Sequence, residues 1–561
     1  MDTGDTNDSR SSNLGSMRLL VGFVQGWMAM LLINAGQEHL WPATDQLLYT
    51  SLAAFTALVP PTILTGLGQM RMAVLGLWTI GSTAGVLYAV RHGFLRTEAM
   101  TLGEDSSVLA LLFPAMFIGY HLLAAADQDR RPIARYRAYF DIAWKNGVQL
   151  ALSLMFLGAF WLLLYLGAAL FSLIKIDAVL ELIQRDWFIY PMSAIVFAMA
   201  VHVSDMRVGL IAGARTLALM LLSWLLPVMA FFAVAFLGTL PVAGIELLWD
   251  TGRATGLLLT AAVVLVILIN AAYQQGGEDV QPPAILRFAA QIAGLALLAI
   301  VAIAAYSIWL RIDQHGLTPD RVLGVAFVAV ASCYTAGYAV AAVWPGKWMR
   351  PLEATNIAAA FVMVGVIVAL LTPLGDPARL AVQDQVRRLQ TGIVSVEKFD
   401  FNFLRFRSAR YGIEALKRLA ADKSSPKAQA IAAKAWEALG RKTQNPVKPV
   451  LSTREQLAQI TVYPKGAQLP ESFLAQEWAD APNSPHLCPG FAADENRCEA
   501  FLADFDGDGL LEVMTGNRNH INVWRLSSER VWISIGGIEP SRCFNRAGWS
   551  MLDGLRAGTN L

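Results

Sequence analysis

Between Ala151 and Ile174 the chain runs for 24 residues, ALSLMFLGAFWLLLYLGAALFSLI, without an Asp, Glu, Lys, Arg or His. At about 1.5 Å of rise per residue, a helix of this length crosses a hydrocarbon core of roughly 30 Å. The stretch before it, DRRPIARYRAYFDIAWK at 129–145, carries Arg130, Arg131, Arg135, Arg137 and Lys145. Basic residues beside an apolar span mark the side retained in the cytoplasm. The pairing predicts a transmembrane helix whose leading loop is inside.

Apolar windows of similar length recur near 17–35, 47–66, 72–90, 106–125, 148–173, 188–203, 210–238, 256–273, 287–310, 321–344 and 352–372, which predicts eleven crossings. With 55% hydrophobic and 16% charged residues, the composition fits a polytopic bundle. A formal net charge of +1 and the lack of a long basic tract argue against nucleic acid as a partner. Residues 1–16 are small and polar and read as a disordered cytoplasmic tail, and residues 17–375 form the transmembrane domain. With the amino terminus inside, the loops holding Arg71, Arg130, Arg135, Arg215, Lys347 and Arg350 share its side. That side carries the basic excess, which favours this orientation. An odd number of crossings then puts the C-terminal region outside, in the periplasm if the cell is a bacterium.

From Asp376 the character changes. PARLAVQDQVRRLQ at 377–390, the run 399–420 and SPKAQAIAAKAWEALG at 425–440 carry apolar positions at helical spacing. They form a helical juxtamembrane or linker region over 376–460, and STREQL at 452–457 carries the Ser and Glu of a capping box. Beyond residue 461, LEVMTG, INVWRL and RVWISIGG alternate as short strands, so 461–561 reads as a small, mostly β module. Such a module gains from a disulfide or a bound ion. Of the four cysteines, Cys333 sits in an apolar run, and Cys488 and Cys498, ten apart, are the candidate disulfide pair if the module is extracytoplasmic.

The sharpest chemical motif is FLADFDGDGLLEVMTG at 501–516. Asp504, Asp506 and Asp508 fall at positions 1, 3 and 5 of an oxygen-ligand loop. Gly509 permits the turn, Leu510 offers a carbonyl and Glu512 stands at position 9. The pattern resembles the calcium loop of FG-GAP and integrin-type repeats, and that resemblance implies a structural Ca2+ carried by a strand–loop–strand hairpin. Position 12 is Thr515, so the loop is not a full EF-hand, and a single copy excludes a complete β-propeller. The alternative is an Asp/Gly turn with no metal. No catalytic constellation is patterned: Walker-type loop, nucleophile elbow, His-rich motif and dinucleotide fingerprint are all missing from the sequence. Polar groups at membrane depth are costly, which makes His121, His202, Asp205 and Glu353 candidates for an intramembrane polar path. The competing reading is that each caps or anchors a helix end.

YRAYFDIAWKNGVQLALSLMFLGAFWLLL at 136–164, LLSWLLPVMAFFAVAF at 221–236, INAAYQQG at 269–276, GLTPDRVLG at 316–324, LLTPLGDPARLAVQDQVRRLQTG at 370–392 and FDFNFLRFRSARYG at 399–412 together resemble a bacterial inner-membrane family, domain of unknown function number 4153. The resemblance covers about residues 17–440 and implies a multi-pass inner-membrane protein with a soluble C-terminal portion. It implies no activity and no catalytic residues. The expected function is therefore a non-enzymatic scaffold or sensor in the lipid bilayer, engaging a periplasmic or envelope protein partner through its C-terminal module. The alternative is a transporter or lipid-handling permease.

Overall fold

The computed structural model describes residues 3–97, 106–244, 254–276, 282–441, 457, 460–476, 499–504, 509–517, 520–527 and 530–538. The chain divides into two units, Met1–Arg441 and Lys442–Leu561. Among its described residues the first unit is all-helical. Its helices are α1 (Thr3–Gln37), α2 (Gln46–Gly66), α3 (Met72–Thr97), α4 (Ser106–Asp129), α5 (Tyr136–Leu173), α6 (Ala178–Ile183), α7 (Asp186–Met206) and α8 (Val208–Ala243). They continue as α9 (Ala254–Tyr273), α10 (Ala284–His315), α11 (Pro319–Val343), α12 (Pro351–Leu370), α13 (Pro377–Thr391), α14 (Phe401–Phe406), α15 (Ala409–Ala421) and α16 (Pro426–Gly440). Among the described residues 11 helices, α1 to α12 without the short α6, are long and apolar enough to cross a membrane. The chain is thus a multi-pass membrane protein, with the spans where the apolar windows put them. One boundary moves: α1 begins at Thr3, so helix occupies the polar opening that reads as a disordered tail.

Burial separates the spans by role. Half of the apolar window of α10 is buried, against 6% of that of α5. The buried face of α10, built on Ala290, Ala293, Leu297, Ile300 and Ala304, packs among α8, α9 and α11 as the hub of the largest core. The uncharged run at 151–173 has the opposite fate. Leu162, Leu163, Leu166 and Leu170 stand exposed, the surface a helix offers to lipid.

Close packing rests on small residues at chosen points. On α1, a Cβ at Gly22 would lie 2.7 Å from Ala198 Cβ, and one at Gly26 would lie 2.5 Å from Pro191 Cα. Gly22 and Gly26 are a Gly-x-x-x-Gly pair that lets α1 and α7 meet backbone to backbone. Gly294 of α10 plays the same part against Tyr338 of α11, whereas Gly85 of α3 faces open space.

Helices α13 to α16 pack on the ends of the spans where α10 finishes and α11 starts. Arg388 donates to Asp313 O at 2.8 Å, Asp384 accepts from Leu317 N at 2.8 Å, and Gln385 donates to His315 O at 3.0 Å. Local sequence explains the helices themselves. Asp376 caps α13 ahead of Pro377, and Gly392 ends it in the left-handed region. Ser425 accepts from Ala428 N and sets Pro426 as the first residue of α16. The run 399–420 divides at Ser408, whose hydroxyl donates to Phe403 O at 2.9 Å. Gly412 sits so tightly on Leu404 O that a Cβ would clash with it.

The second unit holds β1 (Thr461–Tyr463), α17 (Glu471–Ala475), β2 (Glu499–Ala503), β3 (Glu512–Asn517), β4 (His520–Leu526) and β5 (Trp532–Ile538). The strands form one sheet in the order β1-β2-β3-β4-β5, with β1 parallel to β2 and the later pairs antiparallel. Its own core gathers Phe473, Val513, Trp524 and Trp532. The indole N–H groups find partners, Trp524 Nε1 on Thr515 Oγ1 at 2.8 Å and Trp532 Nε1 on Ser472 Oγ at 3.1 Å. Gln476 binds the Trp532 main chain through both ends of its amide.

Candidate functional site

Successive spans alternate in direction, so the C-terminal ends of α2, α4 and α7 meet the N-terminal ends of α1, α5 and α8. Charge concentrates at that meeting. Arg18, 1% exposed, donates through Nε to Leu64 O at 3.1 Å and through Nη2 to Leu67 O at 2.5 Å, carbonyls at the end of α2 that lack helical partners. The same Nη2 donates to Asp205 Oδ2 at 2.8 Å, and Lys145 Nζ donates to Asp205 Oδ1 at 2.7 Å. One carboxylate thus joins α1, α5 and α7.

Beside this knot, His121 Nδ1 lies 2.6 Å from Phe117 O, which can only accept, so Nδ1 carries the proton. His121 Nε2 then accepts from Asn146 Nδ2 at 3.2 Å, and Asn146 Oδ1 accepts from Gln69 Nε2 at 3.2 Å. Gln149 donates to Val201 O and to Ser204 Oγ. His202 packs on the backbone of Gly15, where a Cβ would stand 2.8 Å from its Nε2. A cavity of about 430 Å3 opens next to these groups, lined by Gln69, Asp141, Lys145 and Arg215 with Ile142 and Ile211. Its carboxylate is engaged: Asp141 Oδ1 accepts from Arg215 Nη1 at 2.9 Å and from Gln275 Nε2.

Glu353 belongs to a second cluster. It accepts from Tyr273 OH at 2.8 Å. Nearby, Tyr338 OH donates to Asn356 Oδ1 at 2.8 Å and accepts from Asn270 Nδ2 at 2.6 Å. Asn356 Nδ2 closes the ring on Asn270 Oδ1 at 2.6 Å. Each polar group in this ring meets its complement, which is what a buried network requires.

The structure therefore brings His121, His202 and Asp205 to one neighbourhood, places Glu353 in another, and includes none of the four in the cavity lining. Sequence reasoning missed Arg18, which reads as a loop charge at the edge of an apolar run. Its burial depends on Asp205, 187 positions away.

In the second unit, the loop with the acidic motif joins β2 to β3, whose last pair is Ala503 with Glu512. Asp504 Oδ2 accepts from Gly509 N at 3.0 Å, and Gly509 has a φ of +84°. Glu512 is buried at the head of β3, and Leu510 is exposed. Asp506, Asp508, Cys488 and Cys498 lie outside the described residues. Among the described residues no group of three or more His, Cys, Asp or Glu side chains is placed to hold a metal.

Comparison with curated proteins finds no match. Comparison with solved structures also finds none. A family model described as "Domain of unknown function (DUF4153)" matches residues 29–419, from the middle of α1 to the last turn of α15. The chain belongs to the DUF4153 family.

Proposed function

We propose that this protein is a non-enzymatic scaffold or sensor of the bacterial inner membrane, with its amino terminus in the cytoplasm and its β-rich unit in the periplasm, where that unit engages an envelope protein. The observation that carries the reading is the division of the chain into two units, each with its own core. A sheet that buries Phe473, Trp524 and Trp532 within itself is suited to being presented as a module. The membrane unit supports the same reading, because its charged and polar groups close on one another as locks between helices. The basic excess in the loops near Arg71, Arg130 and Arg215 supports the orientation. The test is gentle purification of the full chain from native membranes beside a chain ending at Arg441, with mass spectrometry of what co-elutes. A stoichiometric envelope protein held by the full chain and lost from the shorter one is expected. No stoichiometric protein on the full chain contradicts the reading, and a solute retained equally by both chains then favours transport.

The β2–β3 hairpin takes a structural calcium ion in this account. Support comes from the strand–loop–strand setting, the turn at Gly509 and the inward fold of Asp504 over it. The ion brings no step of chemistry. It would hold the hairpin closed through Asp504, Asp506, Asp508, the Leu510 carbonyl and Glu512. Calcium added to chelator-treated full-length protein is expected to slow amide exchange in the peptide spanning 501–516. Asp506→Asn with Asp508→Asn removes that response. Equal exchange with and without calcium contradicts the assignment.

A further inference from the structure

On the opposite face of the membrane unit lies a cavity of about 550 Å3 that the polar network does not use. It sits where α3 and α12 end, α4 and α11 begin, and α13 to α15 pack across them. One wall is basic: Arg96 from α3, with Arg405, Arg407 and Arg410 from α14, α15 and the turn between them. The other is aliphatic, built from Leu111, Leu323 and Leu370 at the ends of the spans.

Among the described residues, the acidic side chains of the lining do not balance this wall. Asp320 is the one carboxylate that the described residues contribute to the lining. Asp376, fully buried behind the rim, is committed elsewhere: it lies 3.0 Å from His92 Nε2 and 3.9 Å from Arg96 Nη1, and it caps α13. Three arginines from one short stretch line one cavity, and a guanidinium fork matches phosphate oxygens in pairs.

We propose that this cavity binds an anionic phospholipid, its phosphate on Arg405, Arg407 and Arg410 and an acyl chain along Leu111, Leu323 and Leu370. The depth supports lipid over free anion. The walls are the ends of membrane-spanning helices, so the arginines stand at headgroup level while the leucines continue toward the hydrocarbon. The site is independent of whatever the β-rich unit engages.

Native mass spectrometry of the delipidated full-length protein tests this. The probes are phosphatidylglycerol, phosphatidylcholine with the same acyl chains, and inorganic phosphate alone. Phosphatidylglycerol is expected to be retained at least tenfold better than phosphatidylcholine. Arg405→Gln with Arg410→Gln should erase that preference, while Arg418→Gln, an exposed position on α15, leaves it intact. Leu323→Trp, which fills the aliphatic wall and keeps every arginine, should weaken lipid retention as well, and it decides the matter if the double variant does not fold. Undiminished preference in both the double variant and Leu323→Trp overturns the proposal. So does displacement of the lipid by an equal concentration of inorganic phosphate, which would make the arginines a free-anion site.

Discussion

Asp205 shows what a single side chain does in this molecule. Its two oxygens take Arg18 from α1 and Lys145 from α5, so neutralising it leaves two cations facing each other at the end of the bundle. Breaking a fully buried pair from one side costs about 3–5 kcal/mol, and partial exposure of Asp205 and Lys145 makes the cost here smaller. Asp205→Asn is expected to lower the unfolding midpoint in detergent clearly, whereas Arg135→Gln, an exposed pair with Asp129, should change it little. Asp376 offers a pH-dependent counterpart on the other face. Burial pushes its carboxyl up, but the His92 hydrogen bond, the Arg96 charge and the Arg379 N–H outweigh burial and hold it below the usual carboxylate range. Since the folded value lies below the unfolded one, the stabilisation is complete above about pH 5 and is lost as pH falls through the depressed value. Thermal unfolding followed from pH 6 to pH 3 should show the parent losing stability toward acid. Asp376→Asn should start lower and change less. His121 and Asp205 were legible as costly polar residues in apolar runs. The partner set was not, because Arg18 and Asp205 meet only after α1 and α7 pack.

At the scale of elements, the α1–α7 contact carries the most weight, since it seats Arg18. Gly22 and Gly26 admit the backbone of α7, so Gly22→Leu should separate the helices and release the Arg18–Asp205 pair. A faster-reacting cysteine introduced at Ala194 would report that opening, and unchanged reactivity would contradict it. In α15, Gly412→Ala drives a methyl into Leu404 O and should cost about 1–3 kcal/mol by overpacking. Elements were legible where a local signal fixed them: Ser425-Pro426 opens α16, and Asp376-Pro377 opens α13. The split of 399–420 into α14 and α15 was not, because its apolar spacing runs on through Ser408 and the break comes from side-chain and backbone contacts there. In the Gly-x-x-x-Gly of α1 the spacing was visible but its partner was not. Gly85, in an equally small-residue stretch, meets nothing.

For the whole molecule, the eleven spans were readable because a hydrocarbon core imposes one length on every helix that crosses it. The packing of α13 to α16 onto the span ends was not, since apolar spacing alone fits a free linker equally well. Arg388, Gln385 and Asp384 hold that contact through main-chain atoms of 312–317, which leave no pattern in sequence. The crossing of α12 puts α13 to α16 across the membrane from the α11–α12 turn, and the proposed orientation makes the side of α13 to α16 the outer one. Native lysines test it without substitution: exposed Lys434 lies on α16, and exposed Lys347 lies in that turn. Spheroplasts treated with a membrane-impermeant amine reagent and analysed peptide by peptide should show Lys434 modified at once and Lys347 only after permeabilisation. Modification of both before permeabilisation, or of Lys347 alone, would contradict the account.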